Sequence, residues 1–106
     1  GWVALHIELA RGDLSRYGLI GLACRTAAPQ TMIVQPCLRS GTEDGFVDCF
    51  FGKHILSQQE DLSHLDAIEI NRRTNLLPDP PWRELVLFLP THSFRWSLLD
   101  LRLFII

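Results

Sequence analysis

Strict alternation of apolar residues at the start of the chain is the feature that most limits its fold. Four apolar side chains occupy every second position there: Val3, Leu5, Ile7 and Leu9. Successive side chains of a β-strand point to opposite faces, so a period of two predicts a strand with one buried face. A helix would instead need apolar residues three and four positions apart. The chain therefore begins with a predicted amphipathic strand.

Four internal segments have the composition of further strands. They are rich in large apolar residues, are bounded by turn-forming residues, and span residues 19–24, 31–38, 46–51 and 85–89. Pro36 lacks an N–H for a ladder, which predicts an edge strand or a bulge at that position. The last two segments are apolar on both faces, apart from Asp48, so we expect both to be buried strands.

The C-terminal segment changes its apolar face part of the way along. One set of alternating apolar residues is Phe94, Trp96 and Leu98, and a second set, out of phase with it, is Leu99, Leu101, Leu103 and Ile105. A β-bulge, or a bend that carries the strand between two sheet surfaces, would shift the phase in this way. We therefore predict a strand that is irregular at Leu98-Leu99.

One segment has the signature of a helix start. Ser57-Gln58-Gln59-Glu60 matches a capping box, in which a Ser hydroxyl and a Glu carboxylate bind free amides of the first turn. This pattern predicts one short helix near residues 57–66.

These elements total six or seven short strands and one short helix. Their spacing predicts a mostly β fold, either a small barrel or a sandwich. The alternative is an α+β fold with two helices and an antiparallel sheet, which requires residues 14–25 to be helical. Gly18 and Gly21 would each cost such a helix about 1 kcal/mol relative to Ala, so we favour a strand there.

The length of 106 residues fits a single domain over residues 1–106. The chain begins with Gly1 rather than Met and ends on a run of apolar residues. Most chains end in a few polar residues, so we expect either a fragment of a longer chain or a processed product.

Charge and hydropathy argue against a membrane partner and do not favour nucleic acid. The formal net charge is −2 and the isoelectric point is near 6.0, whereas non-specific binding to nucleic acid or to a membrane surface requires clustered cations. No apolar run approaches the ~20 residues that cross a bilayer. We expect no membrane partner.

Three cysteines, Cys24, Cys37 and Cys49, cannot all pair within one chain. Without a secretory signal, the three cysteines favour a reduced, intracellular protein. Cys37–Cys49 is the one pair that we consider as a disulfide bridge. Close ligand pairs such as CxxC or HxxxH are absent, so we expect neither a metal nor another cofactor.

Catalytic motifs are absent from the sequence. No GxSxG segment is present, no cysteine has a papain-like context, and no Gly-rich phosphate loop occurs. An enzyme with a site assembled from dispersed His and acidic residues is therefore the least favoured interpretation.

Arginine and tryptophan gather in the second half of the chain. The candidate binding residues are Arg72, Arg73, Trp82, Arg83, Arg95 and Trp96. These residue types are enriched in protein-binding hot spots, and on a barrel they can also stack bases and contact phosphates. The competing interpretation places the tryptophans in the core and the arginines on a solvated face.

The sequence therefore favours a non-catalytic protein–protein interaction or assembly module. Its partner would be another protein or a second copy of the chain. A β-barrel that binds single-stranded nucleic acid is the alternative, and a small enzyme is a third possibility.

Overall fold

The computed structural model describes residues 3–10, 12–90 and 94–106. These residues form eight strands and one single-turn 3-10 helix, at Ile70–Arg72. The strands are β1 (Val3–Glu8), β2 (Leu19–Ala27), β3 (Met32–Gly41), β4 (Phe46–Phe50), β5 (Ile55–Ser57), β6 (Leu62–Glu69), β7 (Arg83–Leu89) and β8 (Ser97–Ile105).

The strands form two antiparallel sheets. The five-stranded sheet has the order β1-β7-β3-β4, with β5 pairing the first residues of β3. The three-stranded sheet has the order β6-β2-β8. The predicted mostly β fold is confirmed, and the two sheets have the arrangement of a small sandwich rather than of a closed barrel.

The core lies between the inner faces of the two sheets. Leu85, Leu87 and Leu89 alternate along β7, and they join Ile20 and Leu22 of β2 in one buried cluster. Burial of apolar surface is worth about 25 cal/mol per Å², so this contact between sheets is the main source of stability.

The middle of strand β7 is buried on both sides, as its composition predicts. Val86 points away from the core and is nevertheless fully buried. The strand has neighbours on both edges, β1 and β3, but its other outward side chains, Glu84 and Phe88, are only partly buried.

The predicted irregularity in β8 is confirmed as a bulge. Thr26 of β2 lies opposite Leu98 and Arg25 lies opposite Asp100, which leaves Leu99 as an extra residue. Leu99 is half exposed. Leu98, which precedes it, and Leu101, two residues after it, both pack against the core. Because of the one inserted residue, the apolar side chains before and after the bulge point to the same side of the sheet.

Pro36 lies in an inner strand rather than at an edge. Strand β4 pairs with Cys37–Gly41 and β5 pairs with Met32–Val34, so the partner along this side of β3 is interrupted beside Pro36. The Pro36 carbonyl still accepts a hydrogen bond from the Phe51 amide at 3.1 Å. The missing N–H therefore falls where the ladder is broken.

The helix predicted near residues 57–66 is wrong. Ser57 ends strand β5, and residues 62–69 form β6, which pairs with β2. The Ser57 hydroxyl caps no helix because it is buried 2.7 Å from Thr26 Oγ1 and accepts a hydrogen bond from Trp96 Nε1 at 3.0 Å. Contacts with distant residues replace the local capping interaction.

The alternative fold with a helix over residues 14–25 is also wrong. Residues 19–27 form the central strand of the three-stranded sheet. The Phe104 ring covers Gly21, and a Cβ at that position would overlap the ring. Glycine permits this close packing.

The Cys37–Cys49 bridge is not formed, and all three thiols are free. Cys49 lies opposite Leu38 and Cys37 lies opposite Phe50. Because neighbouring positions on a strand point to opposite faces, Cys49 enters the core and Cys37 points to the other side of the sheet.

The described part of the chain holds no helix with the length and apolarity that a membrane crossing requires.

We expect Ser57→Ala to lower the free energy of unfolding by about 1–3 kcal/mol, because it leaves Thr26 Oγ1 and Trp96 Nε1 without their shared partner. Urea denaturation measures this change. Ser63→Ala, at an exposed position on β6, is the control and should have little effect. An equal loss in both variants would contradict a role for the hydroxyl pair.

Candidate functional site

The six arginine and tryptophan residues singled out in the sequence do not form one cluster. Trp82 and Arg83 adjoin the five-stranded sheet, whereas Arg95 and Trp96 precede β8 of the three-stranded sheet. They are separated because β7 and β8, although consecutive in the chain, belong to different sheets.

Arg83 is a buried structural residue. Its side chain is only 1% exposed. Nε and Nη2 donate to the carbonyl of Gly12 at 3.2 and 2.7 Å, Nη1 donates to Ser40 Oγ at 2.7 Å, and Nη2 also donates to the carbonyl of Leu77 at 2.5 Å. Desolvation lowers the pKa of the guanidinium. All three guanidinium nitrogens of Arg83 therefore donate to groups of the same chain rather than to a partner.

The other arginines occupy separate surfaces. Arg72 is exposed and pairs with Glu69 at 2.8 Å. Arg73 donates to the carbonyl of Phe50 at 3.3 Å and so ties the 3-10 turn to β4. Arg95 is exposed, and the neighbouring Trp96 is half-buried with its indole N–H bound to Ser57. A shared binding role for these residues has no geometric support.

Trp82 differs from the others because it lies on the outer side of the five-stranded sheet. Its carbonyl accepts a hydrogen bond from the Gly41 amide at 2.8 Å, which extends the pairing of β3 with β7. Its indole covers Gly41, where a Cβ would overlap the ring. Because neighbouring residues of a strand point to opposite faces, Arg83 points into the core and Trp82 points outward. Trp82 is 37% exposed.

The outer face of the five-stranded sheet carries a straight row of four charged residues. Strand register places them side by side across β1, β7, β3 and β4, in the order Glu8, Glu84, Arg39, Asp48. Arg39 Nε and Nη2 donate to the two Asp48 carboxylate oxygens at 2.8 and 3.0 Å. The hydrogen bond to Asp48 is the main cause that raises the pKa of Arg39.

Phenylalanines surround this row. The Arg39 guanidinium lies 3.8 Å from the ring centroid of Phe46 and 5.9 Å from that of Phe88. Phe50 stacks on Phe88 with 5.8 Å between ring centroids. Phe46 is 52% exposed and Phe50 is 43% exposed. The face therefore presents aromatic surface around an arginine that is held in place by a carboxylate.

Sequence reasoning missed this face. The segment 46–51 was expected to be buried on both sides, but only Cys49 and Phe51 enter the core, while Phe46 and Phe50 point outward. Asp48, the one charged residue of β4, shares the outward face and was the signal that could have shown its orientation.

The cysteines lack the environment of a catalytic nucleophile. Burial is the main cause that raises the pKa of Cys37 to about 12 and raises the pKa of both Cys24 and Cys49. All three thiols are therefore protonated near neutral pH. Across the described ranges, no three His, Cys, Asp or Glu side chains are grouped so that they could hold a metal ion.

His64 is the histidine with a perturbed environment. Its Nε2 is buried and has no hydrogen-bond partner within the described part of the chain. Desolvation lowers the pKa of His64, Asp66 opposes that effect, and Lys53 adds to it. Cys24 lies directly opposite His64 in the pairing of β2 with β6, and burial raises the pKa of that thiol. We interpret His64, whose ring is partly buried and desolvated, as a determinant of stability.

Comparisons with known protein families, curated proteins and solved structures found no match to this chain.

We expect Arg83→Met to lower the free energy of unfolding by about 2–4 kcal/mol, because the carbonyls of Gly12 and Leu77 and the Ser40 hydroxyl lose their donors. Arg72→Met, at an exposed position, should change it by less than about 0.5 kcal/mol. Chemical denaturation of both variants tests the difference, and a neutral Arg83→Met would contradict the structural role.

We expect the protein to lose stability on acidification through His64. Its pKa is depressed in the folded state, so the contribution is fully present above the unfolded pKa near 6.5 and is lost as the pH falls through the folded pKa. His64→Gln should make the decline in unfolding free energy between about pH 7 and pH 5 shallower. Urea titrations across that range measure it, and identical slopes would refute the assignment.

Proposed function

We propose that this chain is a non-catalytic protein–protein interaction or assembly module that docks a partner on the outer face of its five-stranded sheet. The observation that carries the proposal is the pair of exposed rings, Phe46 and Phe50, beside the fixed guanidinium of Arg39. Aromatic residues and arginine are enriched in protein interfaces, because rings bury large apolar area and a guanidinium makes directed hydrogen bonds.

The surface is organised before any partner arrives. Arg39 is held by two hydrogen bonds to Asp48 and by the ring of Phe46, and Phe50 is held by stacking on Phe88. Immobilising a flexible side chain on binding costs about 0.5–1.5 kcal/mol, and that cost is reduced when the side chain is already fixed. Preorganisation of this kind supports docking on the sheet.

The charge of the face favours a protein over a nucleic acid. In the part of the face that the structure describes, the carboxylates of Glu8, Asp48 and Glu84 share it with one guanidinium, that of Arg39. Carboxylates repel phosphate groups, whereas single-stranded nucleic acid is bound by cationic grooves. The charges on this face therefore support a protein partner better than they support single-stranded nucleic acid.

The proposed setting is intracellular. All three cysteines carry free thiols, which agrees with a reducing environment. The partner is another protein or a second copy of this chain.

A peptide-display selection tests the docking face. We expect the wild-type protein to select peptides that lose at least about tenfold in affinity for Phe46→Ser or Phe50→Ser, because each variant removes an exposed ring. Sedimentation velocity at rising concentration tests self-association, which the same substitutions should abolish. Circular dichroism establishes that both variants remain folded.

Leu65→Ser is the matched control, since Leu65 is an exposed apolar residue on β6 of the other sheet. It should leave peptide binding and self-association unchanged. A monomeric protein whose selected peptides bind the Phe variants as tightly as the wild type would contradict the proposal.

A further inference from the structure

Two carboxylates face each other on the outer side of the sheet. Glu8 of β1 and Glu84 of β7 are directly opposite in the antiparallel pairing. Like charges in that position destabilise a sheet. Within residues 3–10, 12–90 and 94–106, no cation lies within ion-pair distance of Glu8, and Glu84 contacts His6 Nδ1 at 3.4 Å. Among the described residues, the pair therefore carries more negative charge than the one close contact, with His6, can balance.

The guanidinium of Arg39 forms its hydrogen bonds with another carboxylate. Arg39 lies across from Glu84 on the neighbouring strand, but its Nε and Nη2 donate to Asp48 and its guanidinium lies over the Phe46 ring. Arg39 therefore attracts Glu84 electrostatically without a hydrogen bond to it among the contacts described.

Trp82 completes a depression with these two carboxylates. Glu8, Trp82 and Glu84 line a surface hollow of about 290 Å³. An indole face attracts a cation through its ring quadrupole, and carboxylates attract it directly. The same three residues therefore offer two complementary interactions to one positive group.

We infer that the partner inserts an arginine or lysine side chain into this depression while an adjacent apolar side chain packs on Phe46. The inference rests on the proposed function and specifies the chemistry of its partner. Charge complementarity identifies the occupant: within the described ranges, His6 alone lies at ion-pair distance from Glu8 or Glu84, and Glu43 and Asp44 in the turn before Phe46 add negative charge. Arginine fits best, because its planar guanidinium can bridge two carboxylates and stack on an indole.

Three synthetic peptides test the charge requirement: acetyl-Gly-Arg-Phe-Arg-Gly-amide and the versions with Gln or Glu in place of both Arg. Each is titrated into the ¹⁵N-labelled protein, and shifts of the Trp82 indole and of the Glu8 and Glu84 amides are followed. We expect the arginine peptide to bind at least about threefold more tightly than the glutamine peptide, the glutamate peptide to bind most weakly, and added salt to reduce the difference.

Substitutions test whether Glu8, Glu84 and Trp82 bind the positively charged side chain. Glu8→Gln, Glu84→Gln and Trp82→Leu should each weaken the arginine peptide by about threefold or more, with little effect on the glutamine peptide. Glu60→Gln is the control, because Glu60 is an exposed carboxylate in the turn between β5 and β6. Without any peptide, Glu8→Gln should raise the thermal unfolding midpoint and Glu60→Gln should not, since only the former relieves a like-charge pair.

Three outcomes would overturn the inference. Equal binding of the three peptides would show that charge does not select the partner, and it would leave the docking face itself supported. An unchanged unfolding midpoint in Glu8→Gln would show that Glu8 is already neutralised within the chain. Calcium chloride producing the same shifts at equal concentration would assign the depression to a metal ion. Failure of the proposed function is distinguished by the Phe46→Ser and Phe50→Ser variants, which probe the aromatic surface without altering these carboxylates.

Discussion

The buried guanidinium of Arg83 is the interaction on which the arrangement of the five-stranded sheet depends. It joins β3, through Ser40, to two irregular segments, through the carbonyls of Gly12 and Leu77. Carbonyls in irregular segments have no ladder partner, and their burial is unfavourable unless a donor reaches them. A single arginine with a planar set of donors satisfies them together, and it fixes the start of β7 relative to β3.

Strand register then produces the candidate surface. Once β7 is fixed, antiparallel pairing aligns Glu8, Glu84, Arg39 and Asp48 across four strands. These residues are far apart in the sequence and become neighbours only through the sheet. The charge pattern and the phenylalanines around it are therefore properties of the assembled sheet rather than of any local motif.

The features that were predictable from sequence are those determined locally. The period-two pattern of residues 3–9 predicted strand β1, and the phase shift at Leu98-Leu99 predicted the bulge in β8, because both depend on successive residues of one strand. The predicted buried face of β1 is only partly correct: Ile7 packs against the core, whereas Val3 and Leu5 are 48% and 38% exposed. The capping box at Ser57 failed because the hydroxyl partners, Thr26 and Trp96, are 31 and 39 residues away in the chain. A local rule contains no information about such distant partners.

The candidate site was harder to predict for the same reason. Phe46 and Phe50 resemble core residues in composition, and their exposure depends on which side of β4 the second sheet covers. Arginine and tryptophan content singled out both Trp82, which the structure places on the surface, and Arg83, which it buries, and composition alone did not separate the two. Only the alternation along a strand whose position is known makes that distinction.

The adjacency of Trp82 and Arg83 has a consequence for how such a surface can change over evolutionary time. Consecutive residues at the start of one strand serve opposite sides of the sheet: one anchors the fold, and its neighbour lines the depression. The outward residue can be exchanged for another side chain without disturbing the anchor. Specificity can therefore diverge at this position while the scaffold beneath it is conserved by its own hydrogen bonds.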